Sequence, residues 1–361
     1  MERTFYLAKE PDLGVLNDLS RISGEVIVVD CLGAYDDIYG KKGYNAINIE
    51  KFFELDQTML FDSLLGNPPF QSNNGNGDLS GSGTGALWWK IVQKSISLLK
   101  PGGTIHIITP TNILNGGDVY TSLVLGPNRK LDLKEVTTSV NQYFPNVGTD
   151  ICLWKATNSV TSGNKCIVKG KDVFTIETEK TIKIYDTSMM HGIMQTMFEY
   201  SGDKLNLTLQ DTADARLVTK KLIKDGVDKE TAEKRARDWK EVKDDEYCYE
   251  YVKNGKRVFS SVEWKTHGQW KVMIPVMFRP MKYDVYCSKD LVGDQSMLTA
   301  VHVNQESAEK MKEILDNPIY RWIIEQTRVG GRISGYIGNF PNAPIEEVLS
   351  EDQLSYIKSQ L

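Results

Sequence analysis

The chain has 361 residues, 40% hydrophobic and 25% charged, with a formal net charge of −5. That is the composition of a globular protein, and at roughly 100 to 200 residues per domain its length predicts two domains or one elaborated one. No apolar run approaches the roughly 18 residues a membrane helix needs, so no membrane insertion is expected.

The N-terminal "MERTFYLAKEPDLG" has neither the apolar stretch nor the small-residue cleavage site of a secretory signal, and a cytoplasmic location is expected. Cys31, Cys152, Cys166, Cys248 and Cys287 are odd in number and far apart, which supports neither a disulfide framework nor a zinc site. They read as reduced and structural.

In chain order, "TFYLA" predicts a strand, "DLGVLNDLSRI" an amphipathic helix, "EVIVVDC" a β-branched buried strand, "YNAINI" another and "FDSLLG" a fourth. "LWWKIVQKSISLLK" has helical apolar spacing and is stopped by "PGG" ahead of the strand "TIHIIT". Strands and helices alternating at short spacing predict an α/β fold, a mostly parallel Rossmann-like sheet with helices on both faces.

Ligands of such sheets bind beyond the carboxyl ends of the strands. Asp30 ends "EVIVVD", Glu50 ends "NAINIE", and "NPPF" follows "FDSLLG", so polar groups from separate strands are expected on one rim. Trp88 and Trp89 read as packing between helix and sheet. His106, His191, His267 and His302 have no ligand spacing, and no metal site is expected.

"LKEVTTSV" predicts a further strand, and "NQYFPNVGTDICLWKA" a turn followed by a strand. After residue 158 the alternation becomes irregular, beginning with the polar connection "TNSVTSGNK", which predicts a domain over 1–158 and a second, irregular α+β portion over 159–361. In the second portion, 228–243 predicts a highly charged helix, and "NQESAEKMKEIL" a helix opened by the capping-box-like "SAEK".

Charge divides with the chain. Residues 1 to 80 hold 6 Lys/Arg against 13 Asp/Glu, whereas residues 216 to 271 hold 15 against 11. The first balance suits a part that handles a small molecule, and the second suits one that faces phosphates, although a solvated helix face explains such a run equally well.

"NPPF" carries the most chemistry. Two consecutive prolines fix φ and remove two backbone donors, leaving a rigid segment with carbonyls free to accept. The Asn67 side-chain oxygen and the Pro68 carbonyl are suited to receive both N–H bonds of one exocyclic amine, while Phe70 stacks on the ring that bears it. Two acceptors on an aromatic amine favour a more tetrahedral nitrogen, whose lone pair can then attack an electrophilic methyl group. The "SNNGNGDLSGSGTG" that follows is a low-complexity stretch, able to close over a bound strand.

"FDSLLGNPPF" resembles the catalytic motif of amino-methyltransferases that use S-adenosylmethionine, in particular the N6-adenine DNA methyltransferases of restriction-modification systems and phages. "LWWKIVQKSISLLKPGGTIHIITPTNIL" is similar to the segment that follows this motif, and "YFPNVGTDICLW" to a later motif whose aromatic residue flanks the extruded base. The likeness covers about residues 25 to 158. Beyond it, "NQESAEKMKEILDNPIYRWIIEQTRVGGRISGYIGNFP" only loosely resembles a target-recognition portion.

The resemblance implies a Rossmann-like methyltransferase sheet, S-adenosylmethionine as cofactor, double-stranded DNA as partner, and a cytoplasmic place in a bacterium or phage-infected host. It assigns Asn67, Pro68, Pro69 and Phe70 to hold and stack the adenine, Phe144 to pack on its other side, Asp30 to the cofactor ribose and Glu50 to the cofactor adenine. Arg235, Arg237, Arg328 and Arg332 are candidates for phosphate contact. The same NPP motif followed by Phe or Tyr also serves ribosomal RNA and protein amine methyltransferases.

One feature departs from the pattern. The family's Gly-rich cofactor loop falls about twenty residues before the ribose acid, and here that place holds "AKEPDLG", with Gly14 alone and Lys9, Glu10 and Pro11 where close backbone approach is wanted. Three expectations stay open: a missing N-terminal segment or partner subunit completes the domain, an altered loop binds the cofactor, or activity is lost and DNA binding kept.

Overall fold

A computed structural model describes residues 3–8, 13–22, 24–31, 36–41, 43–56, 58–70, 72–73, 79–80, 86–114, 120–144, 150–209, 215–236, 238–253, 256–263, 266–276, 283–293, 297–328 and 335–361. They form two compact units, Met1–His191 and Gly192–Leu361. Among the described residues no helix is long and apolar enough to cross a membrane.

Among the described residues the main sheet of the first unit has nine strands: β1 (Arg3–Ala8), β2 (Glu25–Asp30), β3 (Asn45–Asn48), β4 (Phe61–Gly66), β5 (Leu99–Pro110), β6 (Asp132–Thr137), β7 (Ile151–Thr157), β8 (Lys165–Lys169) and β9 (Val173–Glu177). Their order is β9-β8-β6-β7-β5-β4-β1-β2-β3. The pairs β1–β2, β2–β3, β1–β4, β4–β5 and β6–β8 are parallel. The pairs β5–β7, β6–β7 and β8–β9 are antiparallel.

Helices α1 (Leu13–Ile22), α2 (Asp36–Lys41), α3 (Ile49–Glu54) and α4 (Leu87–Ser97) connect the parallel strands. Side chains alternate across a strand, and the two faces of β1 accordingly enter different cores. Phe5 and Leu7 join Phe52 of α3 and Trp88, Trp89, Ile91 and Val92 of α4. Ala8 and Tyr6 join Leu16 of α1 and Tyr39 of α2. Helices therefore cover both faces, as the alternation predicts, and the tryptophan pair is core, with both rings against Tyr120.

The sheet runs past the boundary expected near residue 158. Asn164 bridges the connection, its amide donating to the Leu133 carbonyl at 2.8 Å, and β8 then pairs with β6. The β-branched residues of "KCIVK" find a partner strand inside the sheet, and the units divide only at His191/Gly192. Cys31, Cys152 and Cys166 are buried free thiols, each pushed up to about 12 by burial.

The second unit contains a sheet of β10 (Thr208–Leu209), β16 (Met297–Val301), β13 (Lys271–Pro275) and β14 (Tyr286–Ser288), in that order. A smaller sheet has the order β12 (Lys256–Ser260), β11 (Tyr249–Lys253), β15 (Val292–Gly293). Helix α5 (Ser188–Glu199) spans the division between the units, and α6 (Ala215–Lys224), α7 (Lys229–Arg235), α8 (Gln305–Asp316), α9 (Pro318–Gln326), α10 (Ile345–Val348) and α11 (Glu351–Lys358) follow.

Two helix expectations need correction. The charged helix expected over 228–243 ends at Arg235, because Lys240 pairs with Phe259 in an antiparallel bridge, N–H to carbonyl at 3.0 and 2.8 Å, and draws the chain into extended form. The helix expected to open at "SAEK" is capped earlier, by Asn304, whose side chain accepts from the Ser307 N–H at 2.9 Å. Ser307 is thus inside the first turn.

Candidate active site

Sequence-adjacent strands run outward from β1 through β2 to β3, and the chain then returns to place β4 on the other side of β1. That reversal makes the carboxyl ends of β1 and β4 the switch point, where open α/β sheets bind ligands. Gly66 lies opposite Leu7, Ala8 opposite Asp30, and Asp30 opposite Asn48. The register therefore brings Asn67 and Asp30 to one rim with β1 between them, their backbones two strand spacings or about 10 Å apart.

The backbone of Asn67 is tied to β1, its N–H donating to the Leu7 carbonyl at 3.3 Å. Gly66 makes that approach possible: a Cβ there would meet the Leu7 Cβ at 2.4 Å and the Leu7 carbonyl oxygen at 2.6 Å. Pro68 and Pro69 are buried, and Phe70 is half-buried against the main core. The Asn67 Oδ1 is buried and has no hydrogen-bond partner among the described residues. A buried amide oxygen without a donor costs on the order of 1 to 3 kcal/mol.

Asp30 has no exposed surface and lies beside the end of β1, where the Cys31 N–H donates to the Ala8 carbonyl at 3.1 Å. Glu50 does not end a strand. β3 stops at Asn48, whose side chain caps α3 by accepting from the Lys51 N–H at 2.9 Å, and Glu50 sits exposed in the first turn. A carboxylate there suits the helix dipole, which is sufficient reason for its presence.

Phe144 reaches the same rim by register. β5 is parallel to β4 with Ile107 opposite Gly66, and its end, Pro110, faces Ile151 at the start of β7. Residues 138–144 and Asp150, on either side of this connection, therefore lie at the carboxyl ends of the strands. Asn141 accepts from the Ile151 N–H at 3.0 Å, and the Phe144 N–H donates to the Asn141 carbonyl at 2.8 Å. Phe144 is half-buried there, and Tyr143 beside it is 71% exposed.

Sequence reading singled out neither Gly66 nor Asn141, although the signals existed: a glycine closing an apolar strand marks a close backbone approach, and an asparagine opening a turn marks a side-chain cap.

Of the arginines, Arg235 is exposed at the end of α7. Arg328 is half-buried and paired with Glu325 at 2.6 Å, so its charge is already neutralised. Arg237 and Arg332 lie outside the described residues, as do Lys9, Glu10 and Pro11 of the "AKEPDLG" loop and most of the stretch from 71 to 85.

Residues 23–133 match the model of the Eco57I restriction-modification methylase family. The matched segment contains Asp30, Glu50 and Asn67 to Phe70, and ends before Phe144. A stretch of 104 residues is 31% identical to an uncharacterized adenine-specific methylase of Mycoplasma pneumoniae, a match that spans 28% of this chain and 23% of the relative.

Among solved structures, the type IIG restriction endonuclease BpuSI is similar at 10% identity over 99% of this chain and 57% of that one, with a TM-score of 0.42. The methyltransferase subunit of a type I restriction-modification system from Streptococcus thermophilus is similar at 16% identity over 46% and 42%, with a TM-score of 0.33. At such scores neither likeness bears weight, and the fold of the first unit rests on its own strand order and two-sided core.

Proposed function

We propose that the chain is a site-specific DNA methyltransferase that moves a methyl group from S-adenosylmethionine to the N6 amine of an adenine turned out of a duplex. The observation that carries this reading is the buried Asn67 Oδ1 at the switch point, unpartnered among the described residues. An amide oxygen in that place wants an N–H donor, and the neighbouring prolines supply none.

The residue types at the rim fit the cofactor. A fully buried Asp30 beside the end of β1 is suited to accept from ribose hydroxyls, and Glu50 stands one strand further out as the candidate for the cofactor's adenine. When bound, the cofactor supplies an electrophilic methyl group. Asn67 and the Pro68 carbonyl accept the two amine N–H bonds and hold the nitrogen lone pair toward it, Pro69 keeps the segment rigid, and Phe70 and Phe144 enclose the base. Unstacking costs a few kcal/mol, which aromatic contacts and phosphate contacts offset. Residues 159–361 supply target recognition, with Arg235, Arg237 and Arg332 as phosphate contacts.

A second reading, a DNA-binding protein derived from such an enzyme and inactive alone, is favoured by the glycine-poor "AKEPDLG". Calorimetric titration with S-adenosylmethionine separates the two. Micromolar binding that weakens at least about tenfold in Asp30→Ala, a loss of about 1.4 kcal/mol, supports the enzyme. Duplex binding without any heat from the cofactor overturns it in favour of the second reading. Methyl transfer to structured RNA in preference to duplex DNA overturns the choice of substrate.

A further inference from the structure

The cations of the second unit are not equivalent. Lys229 pairs with Glu233, Lys240 with Asp244, Lys256 with Glu241, Arg257 with Glu250 and Arg328 with Glu325. Lys220, Lys221 and Lys224 of α6, and Lys234 and Arg235 of α7, are exposed and have no acidic partner among the described residues.

The packing of α6 decides where its lysines point. Val218 is buried and Leu222 is packed in one cluster with Tyr251, Val258, Val262 and Val292, so this i, i+4 row faces the core. At about 100° per residue, Lys220 and Lys224 fall on the opposite side, about 6 Å apart along the axis, with Lys221 at the flank. The helix dipole explains cations in a last turn, such as Lys221 and Lys224. It explains neither Lys220 nor the lack of any acid along "ARLVTKKLIK", since an acid in the first turn would serve the same dipole. Unpaired like charges on one face repel each other, a cost that an anionic partner removes.

We infer that the outward face of α6, with the end of α7, is a contact surface for the phosphate backbone of duplex DNA. It rests on the proposed DNA substrate for the identity of the partner, and it moves the main phosphate contact from the arginines to Lys220, Lys221 and Lys224. Such contacts fix position without reading sequence and release counterions.

The test measures binding of the full chain to a fluorescent duplex of about 30 base pairs by anisotropy, between about 50 and 200 mM salt. The variant Lys220→Gln/Lys221→Gln/Lys224→Gln is compared with the wild type and with Lys310→Gln/Lys312→Gln on α8. The triple variant is expected to lower the slope of log K against log salt by about 2 to 3, at about 0.9 per phosphate contact, while its melting temperature and the α8 variant's slope stay at wild-type values.

A wild-type slope in the triple variant overturns the inference, as does tighter binding of an RNA duplex of the same length. Methyl transfer assayed on the same preparations keeps the two claims apart. A reduced slope in a chain that methylates no DNA supports the surface and overturns the activity; an unchanged slope in a chain that does methylate DNA has the reverse meaning.

Discussion

At the scale of single residues, the site is a short row of atoms whose positions are set by strand register. On the proposed reading Asn67→Ala removes one of two amine acceptors, and loss of a single preorganised electrostatic contact typically lowers turnover by about 10² to 10³; steady-state methyl transfer reads this, with cofactor affinity expected unchanged. Gly66→Ala drives a Cβ into the Leu7 side chain and backbone, and thermal unfolding is expected to show a loss of about 1 to 3 kcal/mol. The positions of "NPPF" and Asp30 at strand ends were legible because rigid prolines and an acid ending a β-branched strand are local features. Asn141 carried the signal of a turn, but the partner its side chain accepts from, the Ile151 N–H, is set by tertiary structure and was not legible. Lys271 was illegible for the same reason. Its side chain is fully buried in β13 with Nζ donating to the Lys289 carbonyl at 2.8 Å, and burial lowers its pKa from 10.5 to about 8 against the opposing pull of Asp290. Between those values the unfolded chain holds a proton that the folded chain lacks, so stability rises with pH across that window, by at most about 1.4 kcal/mol per pH unit for this group. Lys271→Met is expected to flatten that rise in denaturant titrations from pH 8 upward.

At the scale of elements, helices and strands whose apolar period matches their final state were readable: α1, α4 and the strands β1 to β4 lie where the pattern puts them. Failures came where a tertiary partner competed with local preference. Lys240 left a helical charge pattern to pair with Phe259, and "KCIVK", unremarkable as an isolated run, became a strand because the edge of β6 was available. Capping shows the opposite case, in which local chemistry dominates. Asn317 ends α8 and begins α9, its side chain accepting from the Ile319 N–H at 2.9 Å with Pro318 at the first helical position. Asn317→Ala is expected to cost about 1 kcal/mol, seen as a shifted denaturant midpoint at constant slope.

At the scale of the whole molecule, the composition announced two parts and the strand pairing located the division. A chain ending at residue 158 would leave β6 with an unpaired edge and would expose Cys166, Val168 and Ile176 partners in the core; one ending at residue 191 keeps all nine strands. The shorter piece is expected to aggregate or unfold without cooperativity, and the longer to melt in a single transition, as judged by circular dichroism. The acidic first portion and the partly basic second suggested a division of labour from charge alone, whereas which cations are free was visible only after ion pairing removed Arg328 and its like from consideration. The central claim is that Asn67 and its neighbours present an adenine N6 to a methyl donor. The most direct measurement is mass spectrometry of nucleosides from duplex DNA incubated with the full chain and S-adenosylmethionine, beside the Asn67→Ala variant. N6-methyladenine from the wild type, reduced at least about a hundredfold in the variant, is the predicted result; a methyl group on another base, or equal N6-methyladenine from both chains, would contradict it.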